Sequence, residues 1–183
     1  MIIGVVGPIA SGKNVLTDML ALKGFIRMSL SDEVREEARI RGLPIERKIL
    51  QDIGNEMRLK NGNDYWANRL ISKVEDGKNY VIEGIRNPGE VTALRKCKEF
   101  VLIAIDAPIE KRFQWIIMRG KDSDPHTLDE VKKVDARDRG AGEGEHGQQS
   151  SLAMQGADFQ IINDSTKEAM RKKIDKILKK LNL

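Results

Sequence analysis

The strongest constraint on this chain lies near its start, where GPIASGKN (7–14) follows the apolar run Ile2–Val6. The spacing fits G-x-x-x-x-G-K, although Asn14 stands where Ser or Thr is usual. An amphipathic helix is predicted directly after this turn, over 12–23. In this order, strand, glycine-rich turn and helix bind phosphate, because backbone N–H groups converge at a helix N-terminus. The sequence therefore predicts a site for a nucleoside triphosphate, with Lys13 between the β- and γ-phosphates.

Four further apolar, largely β-branched runs are predicted strands: Phe25–Ser29, Tyr80–Glu83, Phe100–Ile105 and Phe159–Ile162. None alternates polar with apolar residues, which indicates burial on both faces, as in a parallel sheet. Helical patterns follow these strands, at 88–97, 108–119, 127–138 and 167–183. The alternation predicts a three-layer α/β/α fold around a five-stranded parallel sheet.

Two stretches depart from this alternation. Segment 31–75 is predicted to be a helical insertion of two or three helices, with breaks near 41–44 and 61–64. Segment 119–150 is polar and ends in the glycine-rich run RGAGEGEHG (139–147). We expect that run to lack a fixed conformation unless a ligand orders it. Without an internal repeat or a linker, residues 1–183 are expected to form a single domain.

Composition excludes several classes of protein. One cysteine rules out an internal disulfide and a four-cysteine zinc site. No apolar run approaches the roughly 20 residues that cross a bilayer, so no membrane partner is expected. The first residues lack the basic n-region of a signal peptide, and a cytoplasmic location is the expectation. The sequence does not indicate an oligomeric state.

The net charge of +4 first suggests a nucleic-acid partner. Segment 167–183, however, holds seven basic and two acidic side chains, so the rest of the chain is close to neutral. The excess belongs to one C-terminal helix with its own apolar stripe. We interpret it as a solvated lysine face rather than a polyanion-binding surface, and nucleic acid is not expected.

A second motif, YVIEGIR (80–86), is an apolar strand that ends in a carboxylate and is followed by a guanidinium. Glu83 could hold Mg²⁺ through water or polarise an acceptor. Arg86 is placed at the carboxyl edge of the sheet, where open α/β folds bind ligands. It could form paired hydrogen bonds to a second phosphate group.

With these motifs the chain resembles the P-loop nucleoside monophosphate kinases and their relatives, the dephospho-CoA kinases and deoxynucleoside monophosphate kinases, over nearly its whole length. SDEVR (31–35) is similar to their Asp-x-x-Arg, and EGIR (83–86) to their Asp-Gly-x-x-Arg, with Glu for Asp. A closer similarity is to the P-loop domain of some deoxycytidylate deaminase-like proteins, carried by LSDEVREEARIRG, LQDIGNEMR, EGIRNPGEV, IAIDAP and ADFQIIND. The zinc-deaminase H-x-E and P-C-x-x-C signature is not in the sequence.

The resemblance implies that 31–75 binds the acceptor and that 119–150 is the lid. Phosphoryl transfer chiefly needs alignment and charge neutralisation, and catalytic roles are predicted for Lys13, Arg86, Arg119 and Arg137. ATP would be held by Gly7, Ala10, Ser11, Gly12, Lys13, Asn14, Val15 and Asn163. The acceptor would be held by Asp32, Arg35, Gln51, Asn55, Arg58 and Arg86. Mg²⁺ would be held by Asn14 and Glu83.

Several of these roles have a plainer alternative. The lid arginines Arg112, Arg119, Arg137 and Arg139 would reach the phosphates or form surface ion pairs. Asp32 would face the acceptor or the metal, or only start a helix. The side chains of Gln51, Asn55 and Arg58, at i, i+4 and i+7, share one helix face, which would read a base and sugar or be solvated. Asn163 would lie near the donor adenine or serve capping alone.

The sequence thus predicts ATP-dependent phosphoryl transfer to a small nucleotide acceptor, as in a nucleoside monophosphate kinase. The expected acceptor is a pyrimidine (deoxy)nucleotide, on the resemblance alone. A kinase for dephospho-CoA or another small molecule is one alternative. The other is a nucleotide sensor without turnover, which Asn14 keeps open.

Overall fold

The structure of the protein is a computed structural model that describes residues 1–121 and 124–183. Its strands are β1 (Ile2–Val6), β2 (Ile26–Ser29), β3 (Tyr80–Glu83), β4 (Phe100–Asp106) and β5 (Phe159–Ile162). Its helices are α1 (Lys13–Leu22), α2 (Leu30–Ile40), α3 (Arg47–Asn61), α4 (Tyr65–Ile71), α5 (Pro88–Leu94), α6 (Ile109–Arg119), α7 (Leu128–Arg139), α8 (Ser150–Gln155) and α9 (Lys167–Lys180). Among these described residues, none of the helices combines the length and the apolar character needed to span a membrane.

The five strands form one parallel sheet in the order β2-β3-β1-β4-β5. Strand β1 is central, all five of its residues are buried, and Ile3 lies in register with Val81 and Val101. Strands β2 and β3 lie on one side of β1, and β4 and β5 lie on the other. Because the chain changes direction across the sheet in this way, a crevice opens at the carboxyl ends of the central strands. This order brings the loop after β1 next to the segment that follows β3.

Helices cover both faces of the sheet. One face of β1, with Ile2 and Val6, packs into a core that includes Trp66 of α4. The other face, with Ile3 and Val5, packs against α1 and α9. Burial on both faces explains the absence of alternation in the inner strands β1, β3 and β4. The prediction is wrong for β2 and β5, which are partly exposed because they lie at the edges of the sheet. The predicted three-layer α/β/α fold is confirmed.

Element boundaries differ modestly from the predictions. Strand β2 begins at Ile26 rather than Phe25, β4 extends to Asp106, and α5 ends at Leu94 rather than at 97. The predicted insertion contains three helices, α2 to α4, with breaks where they were expected. Helix α8 was not predicted, because its six residues carry too few apolar positions to set a period.

The glycine-rich run 139–147 is held by hydrogen bonds within the protein. The buried side chain of Asn87 donates from Nδ2 to the carbonyl oxygens of Glu145 and Gly147, both at 3.0 Å. Asn87 also caps α5. The run therefore has protein partners that its own composition does not indicate.

Candidate functional site

The loop 7–14 connects β1 to α1 and has little room for side chains at its glycines. Gly12 has φ +97°, and a Cβ there would lie 2.4 Å from Asn163 Nδ2. A Cβ on Gly7 would lie 2.0 Å from the carbonyl oxygen of Ile105. Asn163 donates from Nδ2 to the Ser11 carbonyl oxygen at 3.0 Å. The ends of β4 and β5 thus fix the loop from behind.

Lys13 points its ammonium group back over the loop. Its Nζ donates to the carbonyl oxygens of Gly7 and Pro8, at 2.8 and 2.7 Å. Burial, followed by the positive charge of Arg86, lowers the pKa of Lys13 to about 8, whereas the Glu83 carboxylate acts to raise it. A partly buried cation beside a second cation favours an anion at this point.

A cavity of about 530 Å³ lies against this loop. All the residues predicted to hold ATP line it: Gly7, Ala10, Ser11, Gly12, Lys13, Asn14, Val15 and Asn163. Trp115 and Arg119 of α6 form part of its wall, and its size is typical of small-molecule sites. We call it the donor cavity. Sequence reasoning missed Trp115, which only a view of the folded helix places at this wall.

The loop also contains a buried hydroxyl with no bonding partner. Ser11 Oγ has no hydrogen-bond partner among the described residues and is inaccessible to water. Buried polar atoms are rarely left unpaired in proteins. The orphaned hydroxyl and the closely packed glycines fit the triphosphate of a nucleotide.

A second cavity, of about 370 Å³, lies between the insertion helices and the predicted lid segment. We call it the acceptor cavity. Four of the residues predicted to bind the acceptor line it: Arg35, Gln51, Arg58 and Arg86. Arg47 and Gln148 line it as well, and the sequence had predicted a role for neither.

The structure places two predicted acceptor residues outside this lining. Asp32 is 69% exposed in its side chain and pairs with Arg35 at 2.6 Å, as a residue of the first turn of α2. Asn55 donates from Nδ2 to Glu143 Oε2 at 2.6 Å. Asn55 therefore contacts the lid segment rather than a cavity.

Three residues line both cavities and so mark the boundary between them: Arg47, Arg86 and Asp138. The buried carboxylate of Asp138 accepts from Arg47 Nη2 at 2.8 Å and lies 3.7 Å from Arg86 Nη1. The latter distance is too long for a hydrogen bond. Within residues 1–121 and 124–183, the Arg86 guanidinium has no other ion-pair partner. It is positioned between the cavities with its donors available.

The main chain of Arg86 is held by a buried ion pair. Arg58 Nε donates to Glu90 Oε1 at 2.9 Å, and their side chains are 3% and 1% exposed. The other oxygen of Glu90 accepts from the backbone N–H groups of Arg86 and Asn87, at 2.7 and 3.1 Å. Although Arg58 lines the acceptor cavity, its guanidinium is thus committed to positioning Arg86.

Each predicted lid arginine pairs with a carboxylate. Arg119 lines the donor cavity and makes two hydrogen bonds to Asp124, both at 2.7 Å. Arg137 lines neither cavity, because it bonds to Glu143 at 2.6 Å and to Gln51 at 2.8 Å. The remaining two pair with Asp135, Arg112 and Arg139 both at 2.9 Å. Residues 122 and 123 of the predicted lid lie outside the described residues.

Side chains of the insertion, the lid segment and the Arg86 region form a closed chain of contacts, which we call the lid network. In order, its members are Arg86, Glu90, Arg58, Asn55, Glu143, Arg137, Gln51 and Asp138, and Asp138 contacts Arg86 again. Gln51, Asn55 and Arg58 do share one helix face, as predicted. That face meets the lid segment and Glu90.

The predicted metal ligands offer oxygen atoms near Lys13. Asn14 is exposed and lines the donor cavity. Glu83 ends β3 and lines neither cavity, but it is close enough to influence the pKa of Lys13. In the described part of the chain, no group of three His, Cys, Asp or Glu could hold a metal by itself. The two residues fit Mg²⁺, which prefers oxygen ligands and commonly uses few protein groups together with phosphates.

Comparison with known proteins identifies relatives over the whole chain. It is 35% identical over 186 residues to a UPF0200/UPF0201 protein of Archaeoglobus fulgidus, covering 98% of this chain and 55% of that protein. It is 34% identical over 184 residues to a UPF0200 protein of Methanothrix thermoacetophila, covering 98% and 97%. The chain thus spans about half of the first relative and nearly all of the second. No family model matches it.

Solved structures of low sequence identity share the fold. TT1252 from Thermus thermophilus has a TM-score of 0.60 at 19% identity, covering 99% of this chain and 97% of that one. Shikimate kinase from Acinetobacter baumannii, in complex with shikimate, has a TM-score of 0.56 at 17% identity, covering 98% and 92%. A sugar kinase from Janibacter has a TM-score of 0.52 at 16% identity, covering 99% and 94%.

These likenesses confirm the predicted P-loop kinase fold at the level of architecture. The finer resemblance, to dephospho-CoA kinases and to deaminase-associated P-loop domains, stays a prediction. By its identity to the Methanothrix relative over almost the full length of both chains, the protein belongs to the UPF0200 family, and its fold is that of the P-loop kinases.

Proposed function

We propose that this protein transfers a phosphoryl group from ATP to a small nucleotide acceptor, a nucleoside monophosphate. The observation that carries the proposal is the position of Arg86, between a cavity on the phosphate loop and a second cavity lined by further arginines. Two anion sites that meet at a guanidinium with available donors are what transfer between two phosphate groups requires. The shikimate and sugar kinases among the fold neighbours agree with phosphotransfer.

The donor half follows from the phosphate loop. Its backbone N–H groups and Lys13 would hold the triphosphate, which displaces Lys13 Nζ from the Gly7 and Pro8 carbonyl oxygens. Mg²⁺, when bound, neutralises charge on the donor phosphates, and Asn14 and Glu83 are the residues that would hold it. Trp115 at the cavity wall offers an aromatic surface to the donor.

The acceptor half uses Arg35 and Arg86 as cations. Val34, Ile45 and Leu50 give the acceptor cavity an apolar wall that suits a nucleobase. A phosphate oxygen of a monophosphate is already anionic, so its attack needs no strong base. Arg86, from the boundary, would bind the acceptor phosphate and stabilise the charge on the transferred group.

Asp138 favours a second candidate, a kinase with a hydroxyl acceptor, as dephospho-CoA would be. Its buried carboxylate lies at the boundary of the cavities, where it could accept the proton of a hydroxyl nucleophile. A sensor without turnover is the third reading, since Asn14 replaces the usual hydroxyl of the motif.

A single panel separates the three. The protein is incubated with Mg·ATP and each of AMP, GMP, CMP, UMP, dCMP, dephospho-CoA and shikimate, and ADP is measured. We expect at least one monophosphate to raise ADP formation well above the Lys13→Ala background. Turnover with hydroxyl acceptors alone would replace the proposal by the second candidate. Thermal stabilisation by nucleotides without turnover would favour the sensor.

A further inference from the structure

Gln148 is a buried amide at the wall of the acceptor cavity, and it has an unpaired atom. The residue is 5% exposed and lines that cavity. Its Oε1 has no hydrogen-bond partner among the residues that the structure describes. Leaving a buried amide oxygen unpaired costs free energy, and such atoms are rare in folded proteins. The oxygen is nearly inaccessible in the free protein, so a ligand that brings a donor pairs with it once the amide turns toward the cavity that Gln148 lines.

The backbone fixes Gln148 close to the boundary of the two cavities. The next residue, Gln149, donates its backbone N–H to the Arg86 carbonyl oxygen at 2.7 Å, and Ser150 Oγ donates to the Asp138 carbonyl oxygen at 2.6 Å. On the other side, a Cβ on Gly147 would lie 2.6 Å from Glu143 Cβ and 3.1 Å from the Gly144 carbonyl oxygen, so a side chain there would force the backbone to shift. Gln148 is therefore held in place by its neighbours.

The other amide in the cavity is already committed. Gln51 donates from Nε2 to Asp138 Oδ1 at 3.3 Å and accepts at Oε1 from Arg137 Nη1 at 2.8 Å. Of the two glutamines in the described lining, Gln148 is therefore the one whose amide oxygen has no hydrogen-bond partner. Because the carbonyl oxygen of Arg86 is bonded to the residue after Gln148, the main chain of Gln148 lies beside Arg86, the residue proposed to bind the acceptor phosphate.

We propose that Gln148 determines specificity by accepting a hydrogen bond from a sugar hydroxyl of the acceptor nucleotide. This inference rests on the proposed function. In a nucleoside monophosphate, the donors nearest the phosphate are the sugar hydroxyls, whereas the N–H groups of the base lie further away. A hydroxyl both donates and accepts, so it matches an amide in either orientation.

The test compares acceptors that lose one hydroxyl at a time: CMP, 2′-deoxy-CMP and 2′,3′-dideoxy-CMP, with the adenosine series in parallel. Each is assayed for kcat/KM, and for Kd by thermal shift, with the wild type, Gln148→Leu and Gln149→Leu. Gln149 is the matched control, because its side chain donates to the Gly144 carbonyl oxygen and lines neither cavity.

We expect the wild type and Gln149→Leu to lose about tenfold in kcat/KM at one of the two deletions, the worth of one hydrogen bond. Gln148→Leu should lose less than about twofold at the same step. Without ligand, Gln148→Leu should melt no lower than the wild type, because leucine leaves no unpaired amide. A merely structural glutamine would instead lower Tm and leave the hydroxyl ratio unchanged.

The two proposals fail in different ways. A hydroxyl ratio that persists in Gln148→Leu, or that is absent from the wild type, overturns the role of Gln148 while monophosphate turnover stands. If no monophosphate turns over, the proposed function fails and the same ratios are read from Kd. If none binds, both proposals are overturned.

Discussion

The variant Arg58→Met tests whether Arg58 supports the main chain of Arg86 through its pair with Glu90 or instead binds the acceptor. The pair with Glu90 is almost completely buried, and methionine keeps much of the side-chain volume while removing the charge. Removing one partner of a buried pair costs about 3–5 kcal/mol, because the other charge stays buried and uncompensated. For a chain of this length each kcal/mol lowers Tm by about 2–4 °C, so we expect a loss of roughly 6–20 °C.

The assay is thermal unfolding without ligand, followed by fluorescence or circular dichroism. Arg35→Met is the matched control, because Arg35 also lines the acceptor cavity but its pair with Asp32 is exposed. Its Tm should change by less than about 2 °C, as expected for a surface pair. The double variant Arg58→Met/Glu90→Leu should recover much of the lost stability, since it leaves no buried charge alone.

An unliganded Arg58→Met protein that melts within about 2 °C of the wild type would refute the reasoning. Arg58 would then be free to bind substrate, as the sequence alone predicts. Equal losses in the single and double variants would also contradict it. In that case the cost would come from packing rather than from the stranded carboxylate of Glu90.

Three further outcomes follow from the site. ATP affinity should fall as pH rises through about 8, because the ammonium group of Lys13 loses its proton there. Bound phosphate raises the pKa of Lys13, so ATP binding near pH 9 should take up a proton. Calorimetry in buffers of different ionisation enthalpy measures that uptake. Gly7→Ala should abolish ATP binding and lower Tm, because its Cβ would meet the Ile105 carbonyl oxygen, whereas Gly24→Ala, with open space around its Cβ, should retain binding. Arg86→Ala should lose most of its turnover while its Tm stays close to that of the wild type. Turnover comparable to the wild type in the purified variant would remove Arg86 from the site.

The parts of the fold that the sequence predicted are those encoded by neighbouring residues. Strand, glycine turn and helix occur within residues 2–22, and each signal is local. The order of strands in the sheet is not local, and no pattern along the chain specified that β1 lies between β3 and β4. The meeting of Arg86 with the phosphate loop follows from that order. A general rule for open α/β folds placed Arg86 correctly at the sheet edge.

The roles of polar residues were harder to predict, because their partners are far away in sequence. Gln51 and Asn55 bond to residues 87 and 88 positions away, and Arg58 to one 32 positions away. Spacing shows that such residues share a face but not what that face meets. The lid arginines illustrate the same limit, since a guanidinium that could neutralise a phosphate can equally neutralise a nearby carboxylate.

The lid network closes on itself, and a closed circuit tolerates a single break. When one contact is lost, every member is still linked to Arg86 by the path that runs the other way round. Within the network, three contacts join the lid segment to the insertion: Asn55 with Glu143, and Gln51 with both Arg137 and Asp138. The pairs of Arg47 with Asp138 and of Arg137 with Asp52 join them as well. This redundancy covers the contacts between the lid segment and the insertion, and not the buried pair of Arg58 with Glu90. Loss of Asn55 or Gln51 alone leaves at least one of the three contacts in place, so substitution of both should cost more than the sum of the single effects.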